Sequence, residues 1–330
     1  MIHPIPPGTR DVLPEEMREL RRLEASLREV FERFGYGEVA TPTIEYDEVL
    51  ARGAEPGPAA TYRFFDETGE LLALRSDMTI PIARLAATRY TEVEPPLRFS
   101  YVARAYRGVR PQRGQMREFM QAGVELIGAE APQGTAEVVE VLCASLDAVG
   151  LGRARIGLGD ADLYRQLLVE FGVEGEHRSG IVDCLATHDL VGLEREISGV
   201  PELDASVRRT LLRLPELRGG AEVLDAAREG GEAVERATSR VQATWDALTE
   251  RGIADRVDVD LGLLRDLGYY TGAILEVYDP ALGHILGGGG RYDDLLGRFG
   301  RPLPAAGFTL YMERLHVAQA EEERLAKEGG

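Results

Sequence analysis

The feature that most limits the fold is a pair of long strand-like runs joined by a polar loop, "RFSYVARAYRGVRPQRGQMREFMQAGVELIG", residues 98–128. The loop region carries Arg104, Arg107, Arg110, Arg113 and Arg117. Upstream, "YRFFDETGELLALRSDMT" reads as a hairpin closed near Thr68 and Gly69. Alternating strand patterns return at "RVDVDLGLL", "TGAILEVYD" and "HILGGGGRYDDLL". Helical segments fall between them in mixed order rather than as regular βαβ units. That order predicts an α+β fold, an antiparallel sheet flanked by helices.

In "EEMRELRRLEASLREVFERFG", Met17, Leu20, Leu23, Leu27, Val30, Phe31 and Phe34 recur at helical spacing. Pro14 suits the first helical position, Glu15 and Glu16 the positive end of the dipole, and Gly35 the stop. "YGEVATPTIEYDEVL" reads as a strand interrupted by Pro42, which places it at an edge or interface. "TAEVVEVLCASLDAVGL" is an amphipathic helix and "ARIGLGD" a short strand. From Asp160 to Asp255 the sequence turns helix-rich, with 20 acidic residues against 11 arginines. The expected organisation is a discontinuous core, 1–160 and 256–330, holding a helical insertion, 161–255.

The formal net charge is −18, from 56 acidic and 38 basic residues, and such a balance repels RNA, DNA and anionic membranes. Lys327 is the sole lysine, which excludes mechanisms built on an internal lysine, such as Schiff-base chemistry. Cys143 and Cys184 lack C-x-x-C spacing and read as buried thiols. The histidines, His3, His177, His188, His284 and His316, form no ligand pattern, so neither a metal nor a cofactor is expected. No basic-then-apolar leader and no apolar run of about 18 residues is present, so the expected location is the cytoplasm.

Four polar clusters interrupt otherwise apolar elements. "LRSDMT" carries Arg75, Asp77 and Thr79, and taken alone it is equally a turn with a helix cap. In "REFMQAGVELIG", Glu118, Gln121 and Glu125 interrupt a hydrophobic strand, and alternation sends Gln121 and Glu125 to the face of Phe119 and Gly123. Polar groups on such a face line a pocket or form a buried network, unless that side of the sheet meets solvent. "LLRDLGYYTG" offers Arg265, Tyr269, Tyr270 and Thr271, where the tyrosines also suit a plain core. "GGGGRYDDLLGRFG" reads as a glycine-rich turn running into a short helix, a form that brings backbone close to a nucleotide. It is followed by "AAGFTLYMERL", which contains Tyr311 and Arg314. A glycine run alone is weak evidence.

Taken together and in order, "PGTRDVLP", "LRSDMT", "RPQRGQMREFMQAGVELIG", "LRDLGYYTG", "GGGGRYDDLLGRFG" and "AAGFTLYMERL" resemble the catalytic domain of histidyl-tRNA synthetase, a class II aminoacyl-tRNA synthetase. The resemblance runs from about Ile5 to about Leu315. It implies a class II synthetase-like sheet that dimerises through the first long helix and the strand carrying Pro42. It also implies a histidine-binding set of Asp77, Thr79, Arg107, Gln121, Glu125, Arg265, Tyr269 and Tyr270. Asp77 and Glu125 would hold the ligand ammonium and imidazole, and Arg107 or Arg265 its carboxylate.

The nucleotide side departs from the synthetase pattern. Val109 replaces a glutamate two places after Arg107, Gln115 replaces an arginine, Gly268 replaces an acid, and Tyr311 stands where a glycine leaves room for ATP. Arg314 is kept and is expected to serve a structural ion pair. The sequence stops at Gly330, where the synthetase continues into an anticodon-binding domain. An amino-acid pocket kept beside a degenerate nucleotide site resembles the regulatory-subunit family of ATP phosphoribosyltransferase. That resemblance implies a non-catalytic protein, a homodimer within a hetero-oligomer, by similarity a hetero-octamer. Its partner would be the short-form catalytic subunit and its effector L-histidine, with no tRNA and no membrane. The competing readings are a free-standing amino-acid adenylating enzyme and a tRNA-binding paralogue.

Overall fold

The computed structural model describes residues 5–53, 61–108, 116–201, 203–264, 268–280 and 283–328. First come helix α1 (Pro14–Arg33), strands β1 (Gly37–Glu38) and β2 (Ile44–Tyr46), helix α2 (Asp47–Ala51), hairpin strands β3 (Arg63–Phe65) and β4 (Leu71–Leu74), and helix α3 (Thr79–Arg89). Strands β5 (Leu97–Tyr106) and β6 (Glu118–Ile127), helix α4 (Gln133–Ala148) and strand β7 (Arg155–Asp160) follow. A helical run then holds α5 (Leu163–Glu170), α6 (Gly175–Ala186), α7 (Leu190–Gly199), α8 (Ala205–Arg213), the short strand β8 (Arg218–Gly219), α9 (Glu222–Arg228) and α10 (Glu232–Glu250). Strands β9 (Val257–Asp260), β10 (Ala273–Tyr278), β11 (Ile285–Arg291) and β12 (Ala305–Tyr311) lead to helix α11 (Met312–Glu328).

Among the described residues the main sheet runs β1-β5-β6-β12-β11-β10-β7-β9-β8, and a small sheet runs β2-β4-β3. The central pairs are antiparallel, as the element order predicts. Two outer pairs depart from that expectation, because β1–β5 and β7–β9 are parallel. Both are joined by long stretches containing helices, the crossover that a parallel pair requires.

Helix α1 begins with Pro14 at its first turn and buries Leu20, Leu23, Leu27, Val30 and Phe31. Gly35 follows with φ +79°, the left-handed stop that glycine permits. The apolar face of α1 joins α4, the inner strands and the helices after β7 in one core, to which α11 also contributes. Helix α10 is tied to the sheet by Arg240, which donates to Asp160 at 2.6 and 3.0 Å. The strand expected around Pro42 is indeed broken there, into β1 and β2. Buried Arg75 spans the gap, donating to the carbonyls of Thr41 at 2.7 Å and Arg104 at 2.8 Å.

Two expectations change. Of the two readings of the glycine run, the strand holds and the turn does not: Gly287 to Gly290 lie in β11, between β10 and β12. A Cβ on Gly287 would stand 2.3 Å from the Thr309 carbonyl and one on Gly289 2.1 Å from that of Gly307, so glycine is what lets these strands close up. Of the two thiols, Cys143 is buried, with its pKa pushed by burial to about 12, while Cys184 is only half-buried. No helix among the described residues is long and apolar enough to cross a membrane.

Candidate functional site

A cleft opens over the central strands, where β5, β6, β11 and β12 meet the turn before α3 and the Tyr269–Tyr270 pair. Of the expected ligand-binding residues, Asp77, Thr79, Arg107, Gln121, Tyr269 and Tyr270 line it together, and so does Tyr311. Glu125 lies against the floor, 1% exposed. Arg265, Val109 and Gln115 fall outside the described residues. The cavity volume is about 30 Å³, space for roughly two waters.

The β-alternation anticipated for β6 holds. Gln121 and Glu125 are each 1% exposed, sharing a face with buried Phe119 and Gly123. Glu125 accepts from Thr79 Oγ1 at 2.8 Å and from the Tyr292 hydroxyl. Burial pushes its pKa to about 8, against those two hydroxyls and reinforced by Asp77. Gly307 in β12 makes room for this carboxyl, since a Cβ there would lie 1.9 Å from Glu125 Oε2. Among the described residues Gln121 Oε1 is buried without a hydrogen-bond partner, a state that costs about 1–3 kcal/mol until something donates to it.

Asp77 both caps a helix and faces the cleft. Its Oδ1 accepts from the Ile80 amide at 3.1 Å, capping α3, and the residue also lines the cleft. Burial holds its carboxyl above the usual range, although the Ile80 amide and Arg107 favour the charged form. Arg107 donates to the Ser76 carbonyl at 3.2 Å and lies 5.1 Å from the Phe119 ring. Burial opposes its charge, yet Tyr311 and Asp77 more than offset this and raise its pKa. Among the described residues the cleft thus presents two carboxyls, one guanidinium and one unpaired amide oxygen, complementary to a small zwitterion with a further N–H donor.

Tyr311 closes one end. Its ring meets Phe119 edge-on at 5.7 Å and carries Arg314 at 4.6 Å on its face. Arg314 donates to the Ile285 carbonyl at 2.6 Å, so among the described residues its partners are a ring and a backbone oxygen rather than the expected ion pair. Arg291, from the glycine-rich stretch, is 2% exposed and pairs with Asp293 at 2.8 Å, a structural contact away from the cleft.

Residue reasoning missed Tyr292, Tyr101 and Gly307. Tyr292 stands inside the quoted "GGGGRYDD", and a phenol directly after a glycine strand was the available signal. Among the described residues, no three histidine, cysteine or acidic side chains gather as a metal site.

The histidyl-tRNA synthetase family model matches residues 8–315. An ATP phosphoribosyltransferase regulatory subunit of Moorella thermoacetica is 43% identical over 99% of this chain and 84% of its own length. A crystal structure described as an ATP phosphoribosyltransferase regulatory subunit/histidyl-tRNA synthetase from Bacillus halodurans superposes with a TM-score of 0.88 at 32% identity, covering 97% of this chain and 84% of that one. A histidine–tRNA ligase subunit from Alicyclobacillus acidocaldarius gives a TM-score of 0.82 at 29% identity, covering 98% and 99%. On these grounds the chain belongs to the histidyl-tRNA synthetase family and, within it, to the ATP phosphoribosyltransferase regulatory subunits.

Proposed function

We propose that this protein is a regulatory subunit of ATP phosphoribosyltransferase that assembles with and activates a short-form catalytic subunit. It would pass on feedback inhibition by L-histidine bound in the cleft. The observation that carries the proposal is the asymmetry of the cleft. The amino-acid side keeps Asp77, Glu125, Gln121 and Arg107 together, and the opposite end is occupied by the Tyr311 ring. Charge-assisted contacts of roughly 1.5–3 kcal/mol each would supply part of the binding free energy, offset by the cost of ordering the ligand.

The same proposal takes 161–255 as an insertion in a core made of 1–160 and 256–330. In support, β7 ends at Asp160, β9 begins at Val257, and the two pair directly across the helical run. It also includes a homodimer through α1 and the segment around Pro42. Ile44, Tyr46 and Phe64, exposed by 47%, 49% and 37% on one face of the small sheet, support a covered surface there.

The test is to mix the protein with a short-form ATP phosphoribosyltransferase and to measure co-elution and turnover with and without L-histidine. The expected result is a complex with faster turnover that histidine suppresses. Separate elution and unchanged turnover reject the proposal. The likeness to the histidine–tRNA ligase subunit favours a second reading, an amino-acid adenylating enzyme. Histidine-dependent ATP–pyrophosphate exchange would identify it.

A further inference from the structure

Glu125 is buried against the floor of the cleft. Thr79 from α3 and Tyr292 after β11 hydrogen-bond its two oxygens, and Gly307 of β12 lies against Oε2. The other titratable or charged groups facing this space are Asp77 before α3, Tyr101 of β5, Arg107 after β5, Tyr269 and Tyr270 before β10, and Tyr311 of β12. Both of the hydroxyls that touch Glu125 can donate to a carboxylate or accept from a carboxylic acid. The site is therefore satisfied with or without a proton on Glu125, and among the described residues the guanidinium lining the cleft, Arg107, acts on Asp77. A ligand ammonium or protonated ring adds positive charge beside the two acids and favours the ionised form of both.

We propose that the cleft takes up its cationic amino acid with release of a proton from the Asp77–Glu125 pair, so that effector affinity rises with pH through neutrality. This rests on the cleft being the histidine site. The proton leaves to solvent, and the ligand cation replaces it beside the carboxylate. Burial holds Glu125 at about 8 in the empty cleft. Below that pH the proton must be displaced, and affinity climbs by up to about tenfold per pH unit before levelling above it. Feedback by histidine would then be weaker in an acidified cell.

The experiment is isothermal titration of L-histidine into wild type and Glu125→Gln at about pH 7, in phosphate and in Tris, whose ionisation enthalpies differ. The difference between buffers counts protons, and comparison with the variant subtracts protons carried by the ligand's own imidazole. Wild type is expected to release about one more proton per histidine than Glu125→Gln. Equal counts overturn the proposal while leaving the site assignment intact. If the variant binds too weakly to titrate, infrared difference spectroscopy of wild type decides. Histidine should abolish the carbonyl stretch of an un-ionised carboxylic acid, and a spectrum without that loss overturns the proposal. No heat with wild type at any pH rejects the histidine site itself.

Discussion

Replacing Gly307 with alanine isolates the role of the Glu125 carboxyl without removing it. The added Cβ would stand 1.9 Å from Glu125 Oε2 and 2.5 Å from the Val124 carbonyl, where tolerated contacts begin near 3.0 Å. Val124 sits in β6, which is hydrogen-bonded to β5 on one side and β12 on the other, so relieving the contact with its carbonyl strains the sheet. The carboxyl must therefore move by about 1 Å, enough to break the 2.8 Å bond from Thr79 and the contact with Tyr292. Overpacking of this kind costs about 1–3 kcal/mol of stability, readable from urea unfolding. Losing one charge-assisted ligand contact of about 1.5–3 kcal/mol weakens histidine binding by about 10- to 150-fold, readable by calorimetry. Gly152→Ala is the control, because nothing lies within 4 Å of its Cβ. A Gly307→Ala protein that binds histidine as tightly as wild type refutes the role given to Glu125.

Tyr311→Gly removes the ring held between Phe119 and Arg314 and opens that end of the cleft. ATP affinity, followed by fluorescent-analogue displacement, is expected to improve by about tenfold or more. Arg240→Ala strands Asp160, whose side chain is 1% exposed, although Arg240 itself is 44% exposed. The expected loss is about 2 kcal/mol, below the roughly 3–5 kcal/mol of a fully buried pair, measured by denaturant titration. Glu125 also shapes stability against pH. Its pKa rises from 4.5 to about 8 on folding, so between those values the native state holds a proton that the unfolded chain has lost. Stability from this group is therefore present at acid pH and declines as pH rises through that window. Glu125→Gln should flatten that decline in a series of melts.

Much of this was legible from local pattern. Helix α1 follows its heptad-like apolar spacing, Pro14 and Gly35, because its face is buried against one continuous core. Gln121 and Glu125 were legible for the opposite reason: polar residues at buried strand positions have no cheap explanation except a pocket or a network. The glycine run was ambiguous, read both as strand and as turn, since glycine is a poor strand former by propensity. Its strand exists because neighbouring backbones pack too closely for any Cβ, a tertiary fact that the run itself does not carry. Tyr292 and Gly307 escaped for the same reason. Their importance lies in touching Glu125 from strands more than 160 residues away along the chain.

The most direct test compares histidine inhibition of the complex formed with wild type and with Glu125→Ala, after confirming by size-exclusion chromatography that both assemble with the catalytic subunit. Histidine should inhibit the wild-type complex and require a concentration at least about tenfold higher with the variant, in keeping with one lost charge-assisted contact. Equal inhibition of the two complexes would contradict the placement of histidine in this cleft.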